Sequence, residues 1–306
     1  MLGLVVRKLI AIATLLVVVF TGSFFLMRLT PGGPFDSDRA LPPEILQNIE
    51  AKFRLDQPLW VQYGEYFTDV FFRFDLRPSF SYRDLTVNDI IAETFPRSAA
   101  LGAAALLVAL LLGIPAGTLA AARRGRRIDL LLSTTFALGL AIPNFILATL
   151  LVLVFSFALP LFPVAGFDSF AHLVLPAFAL GAPLAAAVAR LTRAGVLEAL
   201  SSPFVRTARA KGLSPTAVMT RHALRAGIVP VVTWLGPATA AVLTGSLVIE
   251  QIFAIPGMGS FFVTSVTNRD YPLATGVLLL YFGLVAVLNA CVEIALVLLD
   301  PRVETR

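Results

Sequence analysis

The chain has 306 residues, of which 58% are hydrophobic and 14% charged, with a mean hydropathy of +0.85. A soluble chain is about half apolar and a quarter charged, so a water-soluble enzyme, a disordered chain and a secreted disulfide scaffold are excluded, and a polytopic membrane protein remains. The net charge of +5 does not by itself point to nucleic acid, because basic residues of membrane chains gather in cytoplasmic loops; the single Cys291 and the distant His172 and His222 exclude an internal disulfide and a Cys/His metal site.

A bilayer core needs about 20 apolar residues per helix. Six stretches meet that need: residues 9–27, 98–122, 130–158, 172–195, 227–250 and 273–298. Their runs are continuous rather than alternating, which predicts helices and not a barrel. The first follows Arg7 and Lys8, but it is too long for a signal-peptide core. Arg28 follows it with no small-residue cleavage site, so a retained helix is expected.

Residues 30–97 form the first long segment outside the spans. Ile45, Leu46, Ile49 and Phe53 follow Pro42-Pro43 at helical spacing, and Trp60, Tyr63, Phe67, Val70, Phe71 and Phe74 follow Pro58 in the same way. Two amphipathic helices are expected, lying on the outer face or on the bundle. They either pack as a small external cap or meet substrate, and the pattern does not choose. With no internal repeat and no low-complexity linker, a single domain is expected.

Loop charges set an orientation. The N-terminus carries +2, residues 30–97 carry −4 from seven basic and eleven acidic residues, and Arg123, Arg124, Arg126, Arg127 and Asp129 give +3. Residues 159–171 carry −1, residues 190–225 carry +6 and residues 251–272 carry zero. Basic loops alternate with the others, so both termini and the two basic loops are expected in the cytoplasm, the inverted topology being the alternative.

Within the spans, Pro115, Pro143, Pro176, Pro183 and Pro237 either mark kinks along a solute path or reflect the frequency of proline in membrane helices. Gly113 and Gly117 make a G-x-x-x-G that would allow close helix packing. Glu250 and Glu293 lie near span ends, where snorkelling or an interfacial partner accounts for them better than a proton relay. Asn144 and Asn289 are weak candidates for lining a polar passage, with bonding between helices the alternative. Gly245-Ser246 resembles a fragment of a serine protease site, but neither histidine is at its depth, and a small packing pair is the expected role.

The cytoplasmic loop 196–226 is the most informative. Ser201-Ser202-Pro203 reads as an N-cap with proline in the first turn, Lys211-Gly212 as a last turn with its terminating glycine, and Ser214-Pro215 as the start of another helix through His222. Phe204, Val205 and Ala208 form an apolar stripe while Arg206 and Arg209 point elsewhere. The stripe fits either a partner's groove or the inner ends of the spans, with the arginines on lipid phosphate.

Residues 206–213 read RTARAKGL and 221–230 read RHALRAGIVP; this resembles the cytoplasmic coupling loop of ABC importer permeases of the peptide branch. Of the wider pattern, Glu-Ala-Ala, three residues, then Gly, only Ala208 and Gly212 match, a departure that itself resembles the peptide subfamily. RLTPGGPF at 28–35, LDQPLWVQY at 55–63, EQIFAIPGMG at 250–259, NRDYP at 268–272 and DPRV at 300–303 extend the likeness, in order, along nearly the whole chain to B-type membrane subunits of oligopeptide importers.

The resemblance implies an all-α, six-helix permease of the type I importer fold in a bacterial cytoplasmic membrane, forming half of a translocation pore. It implies a second homologous permease as heterodimer partner, two cytoplasmic ATPase subunits and an external peptide-binding protein. It gives the coupling role to Phe204, Val205, Arg206, Thr207, Ala208, Arg209, Ala210, Lys211 and Gly212. No G-x-x-x-x-G-K-[ST] phosphate loop occurs, so the chain is expected to bind no cofactor, with ATP used by its partners. Same-fold importers of dipeptides, nickel complexes or glutathione, an ATP-independent secondary transporter and an intramembrane enzyme are the alternatives.

Overall fold

Backbone that crosses lipid has no water to satisfy its polar groups, so it must close its hydrogen bonds within each segment. In the computed structural model, described over residues 2–29, 33–35, 43–244 and 246–299, the described chain is helical, and its one β-type pairing is an isolated bridge between Pro78 and Thr86. Four helices are long and apolar enough to cross a membrane unbroken: α1 (Leu2–Leu29), α4 (Val87–Ala122), α7 (Phe170–Ser201) and α14 (Tyr271–Leu299). Two more passes are bent pairs. One joins α5 (Arg127–Ala141) to α6 (Asn144–Val152) and its wide-turn extension Leu153–Ala158 at 100°, and the other joins Pro215–Gly227 to α11 (Val229–Leu243) at 46°. Counting each pair as one span, the six expected passes are present.

Three passes depart most from their expected extents. The stretch 130–158 breaks at Ile142-Pro143, because Ile142 takes φ −79 and ψ 120, the extended backbone a following proline favours. The stretch 227–250 ends at Leu243, and a separate short helix, α12 (Leu247–Ile252), carries its last residues. The second pass begins earlier than expected, at Val87.

The chain falls into two compact units, residues Met1–Pro96 with Met258–Val287, and Arg97–Gly257 with Leu288–Arg306. In the first, the expected external helices are α2 (Pro43–Lys52) and α3 (Leu59–Thr68), the latter running into a wide turn at Asp69–Arg73. The side chains of Ile45, Leu46 and Ile49 lie outside the described residues. The α3 stripe packs on α1: the fully buried Phe20 ring lies 5.0–5.8 Å from those of Tyr63, Tyr66, Phe67 and Phe71. Trp60 and Phe74, assigned to the same stripe, are instead more than three-quarters exposed. Burial raises the pKa of the Tyr66 hydroxyl, which stays neutral and donates to the Pro272 carbonyl at 3.5 Å. Asp270, wholly buried, starts α14: one carboxylate oxygen accepts from the Leu273 N–H, the other from the Ser79 hydroxyl at 2.5 Å and the Ser81 N–H.

In the second unit α4 and α7 meet backbone to backbone. A Cβ on Gly117 would lie 2.3 Å from the Ala189 carbonyl oxygen, and one on Gly113 2.7 Å from that of Ala185, so the G-x-x-x-G pair is a contact face. Glu250 does not snorkel. It is buried on α12 and accepts the Ser98 hydroxyl at 2.6 Å. Large apolar side chains such as Leu107, Leu111 and Leu153 are exposed on the helices, the reverse of a soluble surface.

Candidate functional site

The loop between α7 and α11 opens with a short helix, α8 (Pro203–Ala210), set between two sharp stops. At its start Pro203 occupies the first turn, where its missing N–H costs nothing. Ser202 stands at the N-cap position, but its hydroxyl does not cap α8. It turns back to the Ala199 carbonyl at 2.5 Å, as the Ser201 hydroxyl does to that of Glu198 at 2.7 Å. The two serines thus satisfy the last carbonyls of α7 rather than the first amides of α8.

At the other end the Gly212 N–H donates to the Arg209 carbonyl at 3.0 Å and the Leu213 N–H to that of Ala208 at 3.4 Å. This pair of bonds is the Schellman arrangement, and it needs a left-handed residue, which Gly212 supplies at φ +78. Ser214 then caps the next helix, α9 (Pro215–Ala217), accepting from the Ala217 N–H at 3.3 Å. The chain continues through a wide turn at Val218–Ala223, which holds His222, into α10 (Leu224–Gly227).

The apolar stripe divides into a buried part and an exposed part. Val205, 0% exposed, and Ala208, 5% exposed, pack on Val218 and Leu200, so this part of the stripe is used within the chain. Phe204 remains 46% exposed. Arg206, Thr207, Arg209, Ala210, Lys211 and Gly212 are exposed as well, and the Thr207 hydroxyl bonds back to the Pro203 carbonyl. The result is a short, rigidly ended helix with an anchored underside and a basic outer face carrying one aromatic ring.

Two features brace this loop and were not assigned from the sequence. Where α7 passes α10, a Cβ on Gly195 would lie 2.2 Å from the Gly227 carbonyl oxygen, and one on Gly227 2.6 Å from the Val196 nitrogen. The two helices that flank α8 are therefore in backbone contact. On the other side of α7, Arg193 forms a two-pronged ion pair with Asp129 of α5, Nε to Oδ1 at 2.7 Å and a terminal nitrogen to Oδ2 at 2.9 Å. A lone acid inside an arginine cluster was the available signal for this pair.

The weaker candidates lie elsewhere. Asn144 is the half-buried first residue of α6, at the 100° break. Asn289 on α14 sets its Oδ1 2.5 Å from where a Gly236 Cβ would be, so it fills the space that glycine leaves on α11. Ser246 precedes α12 while His172 bonds Ser169 at 2.9 Å; Gly245 and the DPRV run lie outside the described residues.

A family model described as binding-protein-dependent transport system inner membrane component matches residues 113–305, and the model of that system's N-terminal membrane component matches residues 1–102. The chain belongs to this family. The membrane permeases of this family to which it is similar include the oligopeptide transport system permease protein OppB of Haemophilus influenzae, 43% identical over 306 residues, covering 99% of this chain and 100% of the relative. The dipeptide transport system permease protein DppB of Bacillus subtilis is 42% identical, covering 98% and 97%. Among solved structures, a crystal structure of an amino acid ABC transporter with histidines matches with a TM-score of 0.52 at 17% identity, over 68% of this chain and 93% of the other. That likeness carries the all-α, multi-pass fold alone; the family models and the full-length relatives make the chain an ABC permease subunit.

Proposed function

We propose that this permease is the B-type membrane subunit of an ATP-driven importer that takes up oligopeptides delivered by an external binding protein. It contributes half of the translocation path, and a second permease of similar fold contributes the other half. Both termini and the two basic loops face the cytoplasm, as the alternating loop charges favour. The chain holds no nucleotide, and two ATPase subunits supply the driving force. The observation that carries the cargo assignment is the 43% identity to an oligopeptide permease over the full length of both chains.

The α8 helix is the docking element. Its Phe204 ring enters a cleft on an ATPase subunit while Arg206, Arg209 and Lys211 meet the rim. Val205 and Ala208 hold α8 to its own chain, so ATPase closure displaces α8 as a body. Only Ser202 separates α8 from α7, whose long helix carries that displacement into the spans. The rigid-body switch that follows alternates the path between inward- and outward-facing states.

A dipeptide importer is the second reading, favoured by the 42% identity to a dipeptide permease. Uptake of labelled di-, tri- and pentapeptides, in cells with and without the gene, separates the two. Loss of tri- and pentapeptide uptake, restored by the gene, supports the oligopeptide reading. Loss of dipeptide uptake alone moves the cargo to dipeptides, and unchanged uptake of all three in a strain lacking other peptide importers overturns both.

A further inference from the structure

Between α4 and α5 the chain reads Ala122-Arg123-Arg124-Gly125-Arg126-Arg127, and all of these residues are exposed. Gly125 turns the chain at φ +75, and its N–H donates to Asp129 Oδ2 at 2.9 Å, which fixes the turn. Asp129 is the one acid of the segment, and it faces inward: 5% exposed, with both oxygens engaged by Arg193. Its charge is matched within the protein, so the turn presents four guanidiniums outward with no acid among them. Among the described residues none of these four guanidiniums is ion-paired.

The surface beside the turn is apolar. Leu130 and Leu131 on α5 are 71% and 67% exposed, and Leu119 on α4 is 44% exposed. Four arginines directly beside exposed leucines match the two halves of a phospholipid, a phosphate head and its acyl chains. We propose that the Arg123–Arg127 turn is a binding site for anionic phospholipid headgroups, and that occupancy of this site supports coupled transport. An acidic protein surface would match the arginines but leave the leucines uncovered, whereas a phospholipid matches both. The Asp129–Arg193 pair links the site to α7, and hence to the helix that enters the coupling loop.

The test uses the complete purified importer in nanodiscs of phosphatidylcholine, with and without added phosphatidylglycerol. Retained lipid is read by native mass spectrometry, and coupling by ATPase activity stimulated with substrate-loaded binding protein. The wild type should retain phosphatidylglycerol and gain coupled activity when it is added. Each arginine contributes on the order of fivefold to headgroup affinity at low salt, and the effect should fall as salt rises. R123Q/R124Q/R126Q/R127Q should lose the retained lipid and the gain, while the all-lysine version, which keeps the charge and the topology signal, should keep most of both. Equal lipid retention by the glutamine variant overturns the proposal. Loss of ATPase subunits with lipid still retained also overturns it, assigning the arginines to protein docking. If the glutamine variant fails to assemble, the wild type decides alone: no phosphatidylglycerol retention and no gain overturn the proposal.

Discussion

The backbone contact between α7 and α10 makes a sharp prediction for Gly195→Ala. The added methyl would lie 2.2 Å from the Gly227 carbonyl oxygen, where a carbon–oxygen contact needs roughly 3.3 Å. The obstacle is backbone, which no rotamer change can remove, so the helices must separate by about 1 Å. Overpacking of this kind costs about 1–3 kcal/mol, while a helical glycine replaced by alanine gains about 1 kcal/mol in propensity. Gly64→Ala on α3 is the matched control, since a Cβ there meets nothing within 4 Å and only the gain applies. Thermal unfolding of the two purified variants should therefore differ by about 1–3 kcal/mol, with Gly195→Ala the less stable. Because α7 and α10 flank α8, Gly195→Ala should also lower substrate-stimulated ATPase activity of the assembled importer. A Gly195→Ala permease as stable as Gly64→Ala, with normal stimulation, would refute the close crossing.

Asp129→Ala leaves a partly buried guanidinium without its carboxylate, and should cost on the order of 1–3 kcal/mol in unfolding; a double-mutant cycle with Arg193→Met should show coupling above about 0.5 kcal/mol. Val205→Asp puts a charge where the wild-type side chain is wholly buried, and should detach α8, so that the ATPase subunits no longer copurify although the spans still insert. Gly212→Val meets no steric neighbour, but φ +78 costs a side chain about 1 kcal/mol or more. Its permease should assemble yet show weakened substrate stimulation of ATPase, measured on the reconstituted complex.

What could be read from the sequence was local in origin. Apolar runs carried the six passes, and the Ser202-Pro203 and Lys211-Gly212 signals bracketed α8, because start and stop chemistry acts within a few residues. The G-x-x-x-G at Gly113 and Gly117 marked a contact face but not its partner, α7. Pairings across the chain were not legible as pairs: Ser98 meets Glu250, and Asp129, visible only as a lone acid among arginines, meets Arg193, at separations no periodicity encodes. Proline shows the same limit. Pro176, Pro183 and Pro237 lie inside continuous helices, whereas Pro143 ends one, and the sequence around each is similarly apolar. The stripe on α8 was legible as apolar, but its division between Val205 and Ala208 inside and Phe204 outside depends on where Leu200 and Val218 fold back.

The proposed role of α8 in delivering ATPase motion to this permease can be tested by a site-specific cross-link. The only native cysteine, Cys291, is first replaced by serine, and Phe204→Cys is joined to single cysteines placed in the partner ATPase's cleft, in the assembled importer, with and without ATP. Docking of α8 in that cleft should give one cross-linked product between the two chains whose yield changes with nucleotide. A Phe204→Cys permease that assembles with its ATPase subunits, transports, and forms no cross-link in any nucleotide state would contradict it.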